Sequence, residues 1–134
     1  MQRFLGRYET AFFTLLRVVA GFCFTLHGMP KLFGILGHKA DPGDTLTLAA
    51  GIIEFFGGIM LALGLFTSPV AFLASGEMAV AYFKAHAPTS FWPTINHGEL
   101  AVLYCFLWLF VAAHGAGPFS LDAALFKPGP RRVA

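Results

Sequence analysis

Residues 9–33 read ETAFFTLLRVVAGFCFTLHGMPKLF, an almost uninterrupted apolar run. A helix rises about 1.5 Å per residue, so about 20 apolar residues cross the ~30 Å hydrocarbon core of a bilayer. A signal peptide is the alternative, because Arg3 and Arg7 precede the run. The run is longer than the roughly 7–15 apolar residues of a signal peptide and lacks a small-x-small cleavage site. We therefore predict a retained first transmembrane helix.

The composition of the whole chain indicates that lipid is its solvent. Of the 134 residues, 57% are hydrophobic and 12% are charged, and the mean hydropathy is +0.69. A soluble domain carries about 25% charged residues. The net charge of +2, without a basic cluster, argues against a nucleic-acid partner. Cys23 and Cys105 lie in apolar runs without metal-ligand spacing, which predicts packing roles and no disulfide or zinc site.

Three further apolar runs, separated by segments rich in Gly and Pro, predict helices over residues 46–66, 69–87 and 99–114. Short connections favour antiparallel neighbours. We therefore expect an all-α fold in one membrane domain, a four-transmembrane-helix up-down bundle. Residues 120–126 predict a short C-terminal helix at the membrane interface, with a frayed terminus as the alternative.

Two other local signals concern helix starts and membrane orientation. The pairs Asp44-Thr45 and Thr67-Ser68 are predicted to cap the second and third helices. Five basic residues lie on the side of the termini and three on the other side, which predicts cytoplasmic termini. The first set is Arg3, Arg7, Lys127, Arg131 and Arg132, and the second is Lys31, Lys39 and Lys84.

Ionisable residues inside the spans are the candidates for function or for specific packing. A charge at the centre of a transmembrane helix costs about 2.5–3.5 kcal/mol on insertion scales. Arg17 and Glu77 fall at nearly the same depth on the first and third helices. We therefore predict an Arg17–Glu77 ion pair that clamps these helices together.

A second polar group is predicted near the outer ends of the helices. His27 and Lys31 lie one turn apart on the first helix, and Glu54 falls at a similar depth on the second. Further polar residues fall near the same end, namely His86, His97 and Glu99. Such convergence is typical of a polar ligand site or a proton path. The alternative is a buried hydrogen-bond network that serves packing only.

The remaining features of the sequence are a helix face of small residues, a tryptophan near the outer end and the lack of familiar catalytic motifs. Ala50, Glu54, Gly58 and Ala62 recur every four residues, which predicts a helix face that packs closely on a neighbour. Trp92 is expected to lie in the outer aromatic belt, or alternatively to cover the polar group. No nucleotide-binding, nucleophile-elbow, haem or zinc-protease motif is evident.

Four motifs, in the same order along the chain, resemble the DoxX family of small four-helix bacterial inner-membrane proteins. They are LHGMPKLFG at 26–34, ExxGGxxLxxGLFT at 54–67, NHGE at 96–99 and GPFSLD at 117–122. The resemblance implies a multi-pass protein of the bacterial inner (plasma) membrane. It also implies a redox association, because the family is named after a subunit of a membrane thiosulfate:quinone oxidoreductase. The family pattern falls on His27, Gly28, Lys31, Gly34, Glu54, Gly57, Gly58, Asn96, Gly98, Glu99, Ser120 and Asp122, while His97 replaces a more usual Gly.

These observations lead to two main hypotheses. The first is an accessory subunit of a membrane oxidoreductase that binds a quinone or a similar lipophilic ligand. Its site residues would be His27, Lys31, Glu54, His86, Asn96, Glu99 and Trp92. The second is a non-catalytic structural or assembly subunit of a larger membrane complex, and transport of a small solute or proton is a third. No cofactor is evident from the sequence, and a quinone is the candidate considered, with a cofactor between His27 and His86 as a weaker alternative. The expected partners are the bilayer and other membrane subunits or further copies of the chain.

Overall fold

The structure is a computed structural model that describes residues 4–36 and 43–126. A 3-10 turn, Gly6–Tyr8, leads into α1, Glu9–Phe33. The second helix, α2, spans Thr45–Leu63 and includes a π-helical turn at Ile53–Gly57. The third, α3, consists of Thr67–Ala81 and the π-helical turn Tyr82–His86 that continues it. Three helices follow: α4 at Pro93–Asn96, α5 at Glu99–His114 and α6 at Leu121–Leu125.

The all-α prediction is confirmed for the described residues, which contain no strand. The bounds of the long helices α1, α2, α3 and α5 lie within three residues of the predicted spans. Two helical segments, Gly6–Phe33 and Thr45–Leu63, are long and apolar enough to cross a membrane by length and composition. The apolar α5 has 16 residues. The short α6 forms where the sequence predicts it, while α4 was not predicted.

Helices α1 and α2 pack antiparallel along a seam of glycines. A Cβ atom built on Gly28 would lie 2.7 Å from the Gly51 carbonyl oxygen, and one built on Gly58 would lie 2.7 Å from the Gly21 carbonyl oxygen. Both distances are shorter than a real Cβ contact, so only glycine allows this approach. The small-residue face predicted around Gly58 is confirmed, with Gly51 rather than Ala50 at the contact.

Aromatic residues hold α5 against α1 in the core of the bundle. Phe24 and Trp108 are fully buried, and their ring centroids lie 5.5 Å apart. Tyr104 stacks on Trp108 at 5.9 Å. On the other side of α5, the Ser75 hydroxyl of α3 donates to the Cys105 carbonyl oxygen at 2.7 Å. Near the two ends of α1, Phe13 contacts Phe110 and His27 contacts Tyr104, so α1 and α5 are antiparallel.

Asp44 caps α2 as predicted. Its side chain accepts hydrogen bonds from the backbone N–H groups of Leu46 and Thr47 at 3.1 and 3.3 Å, and from the Thr47 hydroxyl. Together these hydrogen bonds hold the pKa of Asp44 below its ordinary value, and the bond from the Thr47 hydroxyl has the largest effect. The cap satisfies N–H groups that have no partner within the first turn of a helix.

The predicted Thr67-Ser68 cap of α3 is wrong, because a distant residue supplies it. The Asp122 carboxylate accepts from the backbone N–H groups of Phe66 and Thr67 at 2.7 and 2.9 Å. The Asp122 N–H donates to the Gly64 carbonyl oxygen at 2.8 Å. A carboxylate at a helix N-terminus also interacts favourably with the helix dipole. The C-terminal segment is therefore fastened to the turn between α2 and α3.

Candidate functional site

A cavity of about 290 Å³, which we call the polar cavity, lies between the long helices at one end of the bundle. Its ionisable lining residues come from α1, α2, α3 and the turn before α5; they are His27, Lys31, Glu54, His86 and His97. Its remaining lining residues are mostly apolar or aromatic; they are Phe24, Met78, Ala81, Ala85, Leu100, Ala101 and Tyr104. Elements far apart in sequence thus bring polar groups into one apolar-walled space.

Glu54 and Lys31 form an ion pair in the wall of the polar cavity. The Lys31 Nζ atom donates to Glu54 Oε1 at 2.7 Å and lies 2.6 Å from Oε2. Glu54 is 2% exposed, whereas Lys31 is 31% exposed. The pairing compensates the burial of both charges, because an unpaired charge in an apolar interior is strongly unfavourable.

Both π-helical turns lie at the level of the polar cavity. Glu54 belongs to the turn Ile53–Gly57, and His86 ends the turn Tyr82–His86. A π-helical turn contains one residue more than the equivalent α-helical turn and changes the direction of the side chains that follow. Such turns often occur at functional sites. No signal in the sequence predicted either turn.

The His86 ring has a defined hydrogen bond. Its Nδ1 atom lies 3.0 Å from the Asn96 carbonyl oxygen. A carbonyl oxygen only accepts, so Nδ1 carries the proton, and in the neutral ring Nε2 is the nitrogen free to accept one. His27, on the opposite wall, has its ring edge-on to the Tyr104 ring, with centroids 6.1 Å apart.

Asn96 organises the loop beside the polar cavity and is not among the residues that line it. Its buried side chain donates to the Tyr82 hydroxyl at 3.2 Å and the Ser90 carbonyl oxygen at 2.6 Å, and it accepts from the Gly98 N–H at 2.7 Å. The amide is thus occupied by protein groups. By fixing this loop, Asn96 holds His97, which has a positive φ of 59°, at the cavity.

Two other predicted site residues lie outside the lining of the polar cavity. Trp92 is 63% exposed and packs edge-on against Phe91. Glu99 is the exposed first residue of α5. The structure therefore does not bring Trp92 over the cavity as a cover or Glu99 into its wall.

The predicted Arg17–Glu77 ion pair is wrong. Arg17 is 1% exposed, and its guanidinium donates to the carbonyl oxygens of Leu61 and Ala62 at 2.6 and 2.9 Å, and of Phe119 at 2.8 Å. The last carbonyl groups of a helix lack partners within the helix and favour a cation. Arg17 therefore joins α1, the end of α2 and the C-terminal segment, where depth alone had suggested α3.

Glu77 lies on the wall of a second space, a groove of about 650 Å³ between α2 and α3 that we call the lateral groove. Its Oε2 atom is buried and has no hydrogen bond among the described residues. Glu77 interacts electrostatically with Glu54 and with Lys31, which lines both spaces. The second carboxylate near the polar cavity is thus Glu77, which sequence analysis had assigned to a different partner.

Tyr104 is a cavity residue that sequence analysis missed. It lies within the apolar run of α5, where an aromatic residue is typical of the hydrophobic core. Among the described residues, no group of three or more His, Cys, Asp and Glu side chains is arranged to hold a metal ion.

Glu54→Leu and Glu77→Leu are expected to have different effects on the stability of the protein. Glu54→Leu should lower the free energy of unfolding by about 3 kcal/mol, the lower end for a broken buried pair because Lys31 is partly exposed. Glu77→Leu should leave stability unchanged or raise it, because it removes a buried oxygen without a hydrogen bond. Thermal unfolding in detergent measures both. Adding Lys31→Met to Glu54→Leu should recover most of the loss, and equal losses from the two single variants would refute this assignment.

The architecture and the cavity define a class: an all-helical protein with two helices apolar and long enough to cross a membrane, and a buried charged pair in an apolar-walled cavity. The family model for DoxX matches residues 12–87, and the chain belongs to the DoxX family. It is similar to a Haemophilus influenzae protein described as uncharacterized, with 42% identity over 130 residues that cover 92% of this chain and 97% of the relative. No solved structure gives a significant match.

Proposed function

We propose that this protein binds the polar ring of a lipophilic redox molecule, a quinone or a close analogue, in the polar cavity, as an accessory subunit of a membrane oxidoreductase. The observation that carries the proposal is the set of His27, Lys31, Glu54 and His86 in one apolar-walled cavity. Ligand cavities are mostly apolar with a few convergent polar groups. A partner subunit is proposed to supply the electrons.

The lining residues fit the ring of such a molecule. The Lys31 ammonium donates a hydrogen bond to a ring oxygen, and its charge is offset by Glu54. With Nδ1 facing the Asn96 carbonyl oxygen, the other ring nitrogen of His86, Nε2, is the atom that can face a ring hydroxyl. The Phe24 and Tyr104 rings supply flat apolar walls. At about 290 Å³, the cavity is at the lower end of ligand cavities, which measure about 300–1,000 Å³, so it holds a ring without a long tail.

A bound quinone would supply two-electron, two-proton carrier chemistry. The protein's part is to hold and move protons beside the two ring oxygens. His27 is an exposed residue that lines the cavity, whereas Glu54 is 2% exposed in its wall. We assign His27 the proton exchange with water, and Lys31 and Glu54 the orientation of the ring.

We also propose that all four long helices span the bacterial inner membrane, with both termini in the cytoplasm and the polar cavity near the outer face. Continuous helix over residues 67–86 supports a third span, since it reaches about 30 Å at 1.5 Å per residue. The excess of Lys and Arg on the side of the termini supports the orientation. Alkaline phosphatase fused at the C-terminus should be inactive, and full activity there would reverse the assignment.

The buried Trp108 provides a direct test of ring binding, because it contacts Phe24 and Tyr104 of the cavity wall. The chain has two tryptophans, so Trp92→Phe leaves Trp108 as the only one. In this background, a dimethoxymethylbenzoquinone should quench the fluorescence saturably. Adding Lys31→Met together with Glu54→Leu, which removes both charges, should weaken binding at least tenfold, because the ring loses its donor.

The matched control is Trp108→Phe, in which Trp92 lies away from the cavity and should show only unsaturable collisional quenching. If Trp108 is not quenched saturably by the quinone in the purified folded protein, ring binding is wrong. The polar residues then serve packing, as expected of a structural or assembly subunit. In that case the charge-free double variant should accumulate and support the partner complex as well as the unaltered protein does.

A further inference from the structure

The lateral groove and the polar cavity meet at three shared residues. Lys31, Ala81 and Ala85 line both spaces. The two alanines belong to the α3 side of the junction and extend no further than a methyl group. Lys31, on the α1 side, is 31% exposed and held by Glu54. The boundary between the two spaces is therefore thin, and a partly exposed lysine side chain forms part of it.

The walls of the lateral groove suit a chain of methylene or isoprenoid units. The groove has about 650 Å³, more than twice the volume of the polar cavity. Its walls are largely apolar and include Ala50, Ile53, Phe72, Leu73 and Val80. Lys84 lies at the end near Lys31, whereas Phe72 and Leu73 lie about three turns deeper along α3. The groove thus runs along the outside of α3, from the end near the cavity past the middle of the helix.

We propose that the lateral groove holds the apolar tail of the molecule whose ring occupies the polar cavity, so that the ligand enters sideways between α2 and α3. This inference rests on the proposed function. It specifies that function further, because it restricts the ligand to a ring with a long apolar tail. The cavity is too small for both parts, and the groove is the adjacent space, separated from it only by Lys31, Ala81 and Ala85.

Gly76 allows the groove to be filled without disturbing the fold. It lies on the groove wall, and a Cβ atom built on it meets nothing within 4 Å. It is an exposed residue in regular α-helix, where a leucine is favoured over glycine. Gly76→Leu should therefore fold normally while it occupies the path of the tail. Ala113→Leu, at an exposed position of α5 that does not line the groove, adds a side chain of the same size as a control.

The test compares two probes, a dimethoxymethylbenzoquinone without a tail and the same ring with a decyl tail, by quenching of Trp108 in the Trp92→Phe background. We expect Gly76→Leu to weaken binding of the tailed probe about tenfold and to leave the tailless probe unchanged. Ala113→Leu should change neither affinity.

The outcomes separate this inference from the proposed function. If both probes bind and Gly76→Leu leaves the tailed probe unaffected, the tail lies elsewhere and only the groove proposal fails. Equal weakening of both probes also overturns it, because the substitution then acts on the ring. If neither probe binds the Trp92→Phe protein, the proposed function fails and the groove proposal with it.

Discussion

Arg17→Ala is expected to prevent accumulation of the folded protein in the membrane. The buried guanidinium donates to three carbonyl oxygens from two separate segments of the chain. Hydrogen bonds to a charged group contribute about 1.5–3 kcal/mol each, so the loss amounts to at least about 4 kcal/mol. An ordinary domain is stable by about 5–15 kcal/mol, so this loss is a large part of its stability. The amount of protein in the membrane fraction and its melting temperature in detergent measure the effect.

Arg7→Ala is the matched control for this prediction. Arg7 is an exposed residue on the same side of the bundle, and its guanidinium lies 4.6 Å above the Tyr8 ring. Its removal should change the stability by less than about 1 kcal/mol. Arg17→Lys should restore part of the accumulation, because an ammonium keeps the charge but not the fork of donors. If Arg17→Ala and Arg7→Ala behave alike, Arg17 does not fasten these segments.

Gly28→Leu and Gly58→Leu are each expected to separate α1 from α2 and abolish folding. A Cβ atom on Gly28 would lie 2.5 Å from the Phe55 backbone nitrogen, and one on Gly58 would lie 2.5 Å from that of Thr25. Backbone atoms cannot move aside as a flexible side chain does, so the helices themselves must part. Even Gly28→Ala should cost about 2–3 kcal/mol, as overpacking of a tight core does.

Gly76→Leu supplies the comparison, since it puts the same side chain on a helix glycine that has open space. It should accumulate as well as the unaltered protein. Size-exclusion profiles in mild detergent distinguish the three variants, with a monodisperse peak for Gly76→Leu only. A monodisperse and equally stable Gly28→Leu protein would show that the glycine seam is not required.

Helix positions were predictable here because apolar runs and their Gly and Pro boundaries are local features. The predicted 9–33 and 99–114 coincide with Glu9–Phe33 and Glu99–His114. The convergence of His27, Lys31 and Glu54 followed from their depth along antiparallel helices. The chemical role of this group stays a prediction, because nothing observed so far tests it.

The Arg17–Glu77 prediction was wrong because it rested only on the depth of each residue along its helix. Depth along a helix gives the level of a residue, but not the direction in which its side chain points. Arg17 points to the carbonyl end of α2, whereas Glu77 faces the lateral groove. Backbone carbonyl groups carry no sequence signal, so no pattern of side chains identifies them as partners.

The roles of Asn96 and Asp122 were also beyond sequence analysis, although the family pattern marked both positions. Asn96 bonds to Tyr82, Ser90 and Gly98, and Asp122 bonds to Phe66 and Thr67 across 56 and 55 residues. Such roles depend on which distant segments of the chain the fold brings into contact. A motif shows that a residue type matters, but only the coordinates distinguish a loop organiser from a ligand.

The fastening of the C-terminal segment has a consequence for biogenesis. A ribosome delivers α1 and α2 first, so Arg17 meets Leu61 and Ala62 early in insertion. Phe119 and Asp122, which complete these contacts, leave the ribosome only after α5. A nascent chain interrupted before residue 119 therefore lacks both the Phe119 carbonyl acceptor of Arg17 and the Asp122 carboxylate that caps α3.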